Sequence, residues 1–169
     1  ASQGIGNAIP EALGDCGARV VVASRKQEAV EAVAIEFKSK GIEAVGIAAH
    51  MGSGEQIQQL VDKTIEAFGT IDIVVNNAAT NPYFGPILKA DDAIFDKIMQ
   101  VNVKGPLNLA KLAFPYMQKN GGGSIVNISS IEGITPGLGL GLYSVSKASL
   151  ISLTKVLARE WGVANIRVN

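Results

Sequence analysis

The sequence predicts an α/β domain built on a doubly wound parallel sheet. Short apolar runs rich in valine and isoleucine alternate with segments whose apolar residues recur at helical spacing. The runs are apolar almost throughout, as strands covered by helices on both faces require. Polar and chemically active residues gather where the runs end, and that is the edge at which open α/β sheets present their ligand sites. At 169 residues, 47% hydrophobic and 18% charged, the chain is long enough for one packed core and too short to expect two domains.

A first helix is expected over residues 5–16, opened by Gly4-Ile5-Gly6, closed by Gly17 and carrying Pro10 near its start. The run at 18–23 reads as a strand, followed by Ser24-Arg25-Lys26. A helix over 27–40 places Val30, Val33, Ala34 and Phe37 on one face and stops at Gly41. Residues 42–48 form the next strand, and a helix from Ser53 or Gly54 carries Ile57, Leu60, Val61, Ile65 and Phe68 in helical register. Residues 71–75 make a further strand that runs out into Asn76-Asn77-Ala78-Ala79. After a loop over 80–90, one long helix is expected from about 92 to 118, capped by Asp91 and interrupted at Gly105-Pro106. Gly121-Gly122-Gly123 turns the chain into a strand at 124–128, and a last helix over 143–162 stripes Leu150, Leu153, Leu157 and Trp161 on one side. No repeat, low-complexity segment or linker divides the sequence.

The chemistry concentrates in Ser129-Ser130 and Tyr143-Ser144-Val145-Ser146-Lys147. A tyrosine and a lysine four residues apart on a helix share one face, one turn from each other. An ammonium at that range lowers the phenol's pKa from its usual value of about 10, so the tyrosine can exchange a proton near neutral pH. Ser130 stands at the end of the preceding strand.

The other signals are weaker one by one. Glycines opening a helix suit a phosphate, because free amides and the helix dipole face the anion, but glycines at a turn are also ordinary. Ser24-Arg25-Lys26 puts a hydroxyl and two cations where NAD-preferring folds keep an acidic residue for the ribose 2′-hydroxyl. That set suits a 2′-phosphate. Asn102 sits inside a helix, where asparagine has poor propensity, so it either bends the helix or frees a carbonyl. His50 is the single histidine, which leaves a histidine metal site without support, and no nucleophile elbow surrounds Ser130. Cys16 is the single cysteine and reads as a small buried helix residue. Fifteen basic and fifteen acidic residues without a basic block make nucleic acid an unexpected partner, and no apolar run reaches a membrane span.

Taken together and in this order, Gly4-Ile5-Gly6, Asn76-Asn77-Ala78-Ala79, Asn102, Ser130, Tyr143-x-x-x-Lys147 and Ile166-Arg167-Val168-Asn169 resemble the short-chain dehydrogenase/reductase family over the whole chain. The resemblance implies a single Rossmann-type domain that binds a nicotinamide dinucleotide and carries the catalytic residues as well. It implies a tetrad of Asn102, Ser130, Tyr143 and Lys147. Tyr143 would be the general acid in reduction and the general base in oxidation, and Ser130 would orient the substrate oxygen. Lys147 would hold the nicotinamide ribose, and Asn102 would anchor a water on the proton path. Ser2, Gln3, Gly4, Ile5 and Gly6 would meet the pyrophosphate, and Ser24, Arg25 and Lys26 the 2′-phosphate. Asn77, Ala78 and Ala79 would line the adenosine side, with His50 and Met51 near the adenine. Many relatives carry an acidic residue where His50-Met51 stands.

The expected cofactor is therefore NADP(H) rather than NAD(H), and the expected reaction is hydride transfer to or from a carbonyl or secondary alcohol carbon. Asn81-Pro82-Tyr83-Phe84-Gly85 together with Ser24-Arg25-Lys26-Gln27 looks most like the NADPH-dependent carbonyl and retinal reductase branch. Ketoreductases acting on carrier-protein thioesters share nearly all of these motifs, and a non-catalytic dinucleotide-binding protein on the same fold is the third reading. Tyr83, Phe84, Leu138, Leu140 and Leu142 suit an apolar small-molecule substrate. The family also implies a homotetramer and a cytoplasmic location, with the peroxisome as alternative. Both ends cut across recognisable elements, so the sequence reads as truncated at both ends and lacking the family's central first strand. By itself such a piece is expected to be unstable and inactive, because two strand edges would lack partners.

Overall fold

A computed structural model describes the backbone from residue 5 to residue 169 and the side chains from residue 6 onward. Ser2, Gln3 and Gly4 of the expected phosphate turn lie outside the described residues, as does the side chain of Ile5. The chain forms two compact units, one ending at Thr70 and the other spanning Ile71–Asn169. Each is a parallel α/β assembly, and together they carry the helices and strands in the alternation expected of a doubly wound fold.

In the first unit, α1 (Ile5–Asp15), β1 (Val20–Ser24), α2 (Gln27–Ser39), β2 (Ala44–Ala48) and α3 (Gly54–Phe68) follow one another. β1 pairs in parallel with β2, Val20 opposite Ala44 and Ser24 opposite Ala48. Val20 and Val22 pack with Val30, Val33, Ala34 and Phe37 of α2 and with Ile42 and Ala44. The helix comes this close because residue 46 is glycine: a Cβ there would lie 2.5 Å from the Val30 carbonyl. Gln27, at the start of α2, closes the outer edge of β2 as a strand would. Its amide donates to the Gly46 carbonyl (3.0 Å) and accepts from the Ala48 N–H (2.8 Å). Lys40 bonds to Glu11 of α1 (2.6 Å) and to Glu36 of α2 (2.7 Å), and these bonds raise its pKa. Cys16 does not behave as expected. It lies just beyond the end of α1 in the turn before Gly17 and is exposed, because it continues the helix face on which Ala8 and Ala12 are exposed as well.

The second unit holds β3 (Ile73–Asn76), α4 (Asp92–Met99), α5 (Gly105–Lys119), β4 (Gly123–Asn127), α6 (Gly141–Trp161) and β5 (Ile166–Val168). The strand order is β3-β4-β5, all parallel, with Val74 opposite Ile125 and Ile125 opposite Val168. Ile98, Ala110, Ala113, Met117, Ile125, Leu150, Leu157 and Ile166 form its interior, and Phe114 packs on Trp161 with ring centroids 4.8 Å apart. Met117 reaches the start of β4 because residue 123 is glycine, where a Cβ would meet its side chain at 2.6 Å.

The long helix expected over 92–118 is broken. Residues Gln100–Lys104 form a wider turn in which the Gly105 N–H donates to the Gln100 carbonyl, five residues back. The break falls ahead of Gly105-Pro106 for a physical reason. Pro106 has no N–H, so the Asn102 carbonyl lacks the donor that a regular α-helix would bring to it.

Candidate active site

Tyr143 enters in the first turn of α6, and Lys147 follows one turn later on the same face. The Lys147 Nζ lies 5.7 Å from the centroid of the Tyr143 ring. The lysine is 3% exposed, and its ammonium donates to the Ile128 carbonyl, just past β4, at 2.7 Å. Burial takes the ammonium out of water and pushes its pKa down. The Lys147 backbone is anchored too, since its carbonyl accepts from the Ser129 hydroxyl at 3.1 Å. A short turn, Ile131–Gly133, lies against α6 at this point, where a Cβ on Gly133 would come within 2.8 Å of the Lys147 carbonyl carbon.

Ser130 is not the last residue of the strand, which ends at Asn127. It caps the Ile131–Gly133 turn instead, its Oγ accepting from the Glu132 N–H at 3.2 Å. The half-buried hydroxyl keeps its own hydrogen for another acceptor.

Asn102 lies in the wide turn and is 1% exposed. Its side chain is fully occupied as a donor. Oδ1 accepts from the Thr80 N–H (2.8 Å), and Nδ2 donates to the Thr80 carbonyl (3.0 Å) and to the Ser146 Oγ (3.0 Å). Ser146 in turn donates to the Tyr143 carbonyl at 2.7 Å. Asn102 therefore acts on α6 through Ser146, and both of its N–H donors are committed to protein partners. Its oxygens keep acceptor capacity, since Oδ1 has a second lone pair and the backbone carbonyl lacks the helical donor that Pro106 removes. Thr80 was not singled out by the sequence, and Ser129 and Ser146 stood in the central stretch without a role, because a serine or threonine on a helix or loop carries no signal until its partner is known.

Asn76, the last residue of β3, is buried and donates to the Asn127 Oδ1 at 2.8 Å. Asn127 donates onward to the Thr154 hydroxyl at 2.8 Å, so the ends of β3 and β4 are fastened to α6 by side chains. Asn77 is half-buried beyond β3, and Ala78 and Ala79 are exposed. The loop carrying Tyr83 and Phe84 is tied to the 130s loop by the Gly85 N–H, which donates to the Gly139 carbonyl at 2.9 Å. Phe84, Ile87 and Leu138 are exposed there, Leu138 almost completely at 98%. Among the residues expected around the substrate, Tyr83 turns back, its hydroxyl donating to the Pro86 carbonyl.

In the first unit, Ser24 is the last residue of β1 and Arg25 and Lys26 are exposed immediately after it. Neither cation forms an ion pair among the described residues. His50, following β2, has a structural task. Its Nδ1 accepts from the Gly52 N–H (2.9 Å) and its backbone N–H donates to Gln56 of α3 (2.8 Å).

The family model for the short chain dehydrogenases matches residues 1–169. A human protein named dehydrogenase/reductase SDR family member 4 is 43% identical over 168 residues, 99% of this chain and 60% of its own length. Tropinone reductase-like 3 of Erythroxylum coca is 42% identical over 168 residues, 99% of this chain and 64% of its own length. The chain thus spans about two thirds or less of these relatives. A crystal structure of a gluconate 5-dehydrogenase from Burkholderia cenocepacia J2315, in complex with NADP and tartrate, superposes with a TM-score of 0.93 at 27% identity, covering 99% of this chain and 66% of that one. Motif order, fold and the match along all its residues agree: the chain belongs to the short-chain dehydrogenase family.

Proposed function

We propose that the protein carrying this chain is an oxidoreductase that moves a hydride between NADP(H) and a carbonyl or secondary alcohol carbon, with Tyr143 as general acid and base. The observation that supports this most is the Tyr143–Lys147 pair, a phenol half-exposed at the start of α6 with a buried ammonium 5.7 Å from its ring. A bound nicotinamide supplies, or in the opposite direction accepts, the hydride at C4. Tyr143 gives its phenolic proton to the substrate oxygen as the carbonyl carbon is reduced, and takes the hydroxyl proton in oxidation. The Lys147 charge stabilises the phenolate formed when the proton leaves. Ser130 donates its free hydrogen to the same substrate oxygen and orients it. Asn102 holds the Thr80 loop and the first turns of α6 together.

The residues present fit a phosphorylated dinucleotide. Exposed Arg25 and Lys26 offer charge and forked donors to a 2′-phosphate, with the Ser24 hydroxyl beside them. Gly4, Ile5 and Gly6 serve the pyrophosphate in this reading, with Ser2 and Gln3 beside them, and Asn77, Ala78 and Ala79 the adenosine side, together with His50 and Met51. The NADP in the gluconate 5-dehydrogenase structure is consistent with that choice of cofactor. Exposed Phe84, Ile87 and Leu138 favour a substrate with an apolar body. Phe95 on α4 and Val145 and Val156 on α6 remain exposed, in keeping with a homotetramer built on these helices. No helix among the described residues is long and apolar enough to cross a membrane; a cytoplasmic enzyme is our reading, with the peroxisome as the alternative.

The test is NADPH oxidation by the full-length protein against a panel of ketones, aldehydes, retinal and acyl thioesters. Tyr143→Phe should lose about 100- to 10,000-fold in kcat, the range of general acid–base catalysis, while NADPH binding persists. Turnover at the wild-type rate in Tyr143→Phe would overturn the assignment.

A further inference from the structure

We propose that Glu132 is a positioning residue that sets the separation between the Ser130 hydroxyl and the Tyr143 phenol. The inference rests on the roles given to Ser130 and Tyr143 above and adds a residue that those roles do not include. Glu132 is the one acidic residue between Ser130 and Tyr143 in the sequence.

Its backbone and its side chain face in two useful directions. The Glu132 N–H donates to the Ser130 Oγ at 3.2 Å and so fixes the direction of that oxygen. The carboxylate reaches across to α6, where Oε2 accepts from the Ser144 hydroxyl at 2.9 Å. Ser144 is 2% exposed and is the neighbour of Tyr143 in the first turn of the helix. The same Oε2 accepts from the Gly137 N–H at 2.8 Å, which folds the intervening loop back onto the carboxylate. Glycine at 137 permits this approach, since a Cβ there would stand 3.1 Å from Oε1. One side chain thus links the turn carrying Ser130, the 130s loop and the turn carrying Tyr143.

The arrangement separates positioning from folding. Ser144 Oγ also lies 3.0 Å from the Leu140 carbonyl, so it has an acceptor within its own helix if the carboxylate is removed. Loss of Glu132 leaves no orphaned serine in the interior. What is lost is the cross-link, and with it the fixed distance between two groups that must both reach one substrate oxygen. Both bonds end on a single oxygen, so a glutamine carbonyl can accept both, and the negative charge itself is not needed.

The experiment compares wild type, Glu132→Ala, Glu132→Gln, Ser144→Ala and the Glu132→Ala/Ser144→Ala double variant of the full-length protein. In Glu132→Ala, kcat should fall about 10- to 100-fold with little change in the KM for NADPH, because ångström-scale misplacement near the reacting atoms costs about that much. Glu132→Gln should stay within about threefold of wild type. Ser144→Ala should lose part of the same activity, and the double variant should lose little more than Glu132→Ala, since both remove one link. Hydrogen exchange gives a readout independent of turnover: the Gly137 amide should lose protection in Glu132→Ala and keep it in Glu132→Gln. Wild-type kcat in Glu132→Ala, or unchanged protection at Gly137, would overturn the clamp while leaving the oxidoreductase reading intact. A Glu132→Gln variant as impaired as Glu132→Ala would overturn it in favour of a role for the charge. A wild-type protein with no turnover across the panel would instead overturn the reading on which the proposal rests.

Discussion

Replacing Asn102 with leucine removes its three hydrogen bonds without leaving a cavity. Leucine has the same branched shape but bulkier ends, so any over-packing at this buried site adds to the loss. Two backbone groups of Thr80 lose their partner, the N–H at 2.8 Å and the carbonyl at 3.0 Å. Ser146 loses one donor but keeps its own bond to the Tyr143 carbonyl, so it contributes less. A buried group left unsatisfied costs about 1–3 kcal/mol, and Thr80 is half-buried, so water recovers part of that; the expected loss is about 2–4 kcal/mol. At about 2–4 °C per kcal/mol for a domain of this class, the melting temperature should fall by about 5–15 °C. Asn102→Asp is the sharper variant. It retains the acceptor for the Thr80 N–H but points a carboxylate oxygen at the Thr80 carbonyl and removes both donor bonds. The loss should therefore exceed that of Asn102→Leu at neutral pH and shrink in acid, where a protonated carboxyl can donate again. Urea unfolding followed by circular dichroism, with a shift in midpoint at constant slope, is the appropriate assay. A destabilisation below about 0.5 kcal/mol in Asn102→Leu, within the range of an ordinary surface change, would refute the argument.

Lys147→Met removes a buried ammonium that has one acceptor, the Ile128 carbonyl. Turnover should collapse while the melting temperature holds or rises, because burial disfavours the charge in the folded state. Since burial lowers this pKa below its unfolded value of 10.5, the unfolded chain holds more protons between the two values, and wild-type stability relative to Lys147→Met should rise as pH climbs through that window. A difference that stays flat or falls from neutral pH to about pH 10.5 would contradict the assigned burial. Gly46→Ala places a methyl 2.5 Å from the Val30 backbone, so α2 must move off β2, at a cost of about 1–3 kcal/mol or more in thermal unfolding. Arg25→Ala should raise the KM for NADPH by about tenfold, the equivalent of about 1.4 kcal/mol, and leave the KM for NADH little changed.

Much of this molecule can be read without coordinates. The helix faces of α2 and α3 follow from Val30, Val33, Ala34 and Phe37 and from Ile57, Leu60 and Val61, all of which are buried. Strand and helix limits fall within a few residues of those expected, because apolar periodicity and Gly17, Gly41 and Gly69, with φ near +80 to +90°, mark them locally. The Tyr143 and Lys147 pair is legible for the same reason: their spacing is a property of the helix alone.

Two local details and a set of contacts distant in sequence make up the remainder. The break at Gln100–Lys104 precedes its Pro106 signal, because a proline acts on the carbonyl four residues back. Cys16, expected inside, is exposed, since it falls on the face of α1 that Ala8 and Ala12 already turn to water. Asn102 was legible as an anomaly, but its commitment to Thr80 and Ser146 spans 22 and 44 residues. The sequence alone thus determined the order of elements and their buried faces, which arise from neighbours a few positions apart, and it singled out Ser130, Tyr143 and Lys147 as the candidates for chemistry. Only the tertiary structure decided how those residues are held. The burial of Lys147 against Ile128, the cap on Ser130 and the reach of Glu132 to Ser144 depend on where separate elements meet, and local spacing carries no record of that.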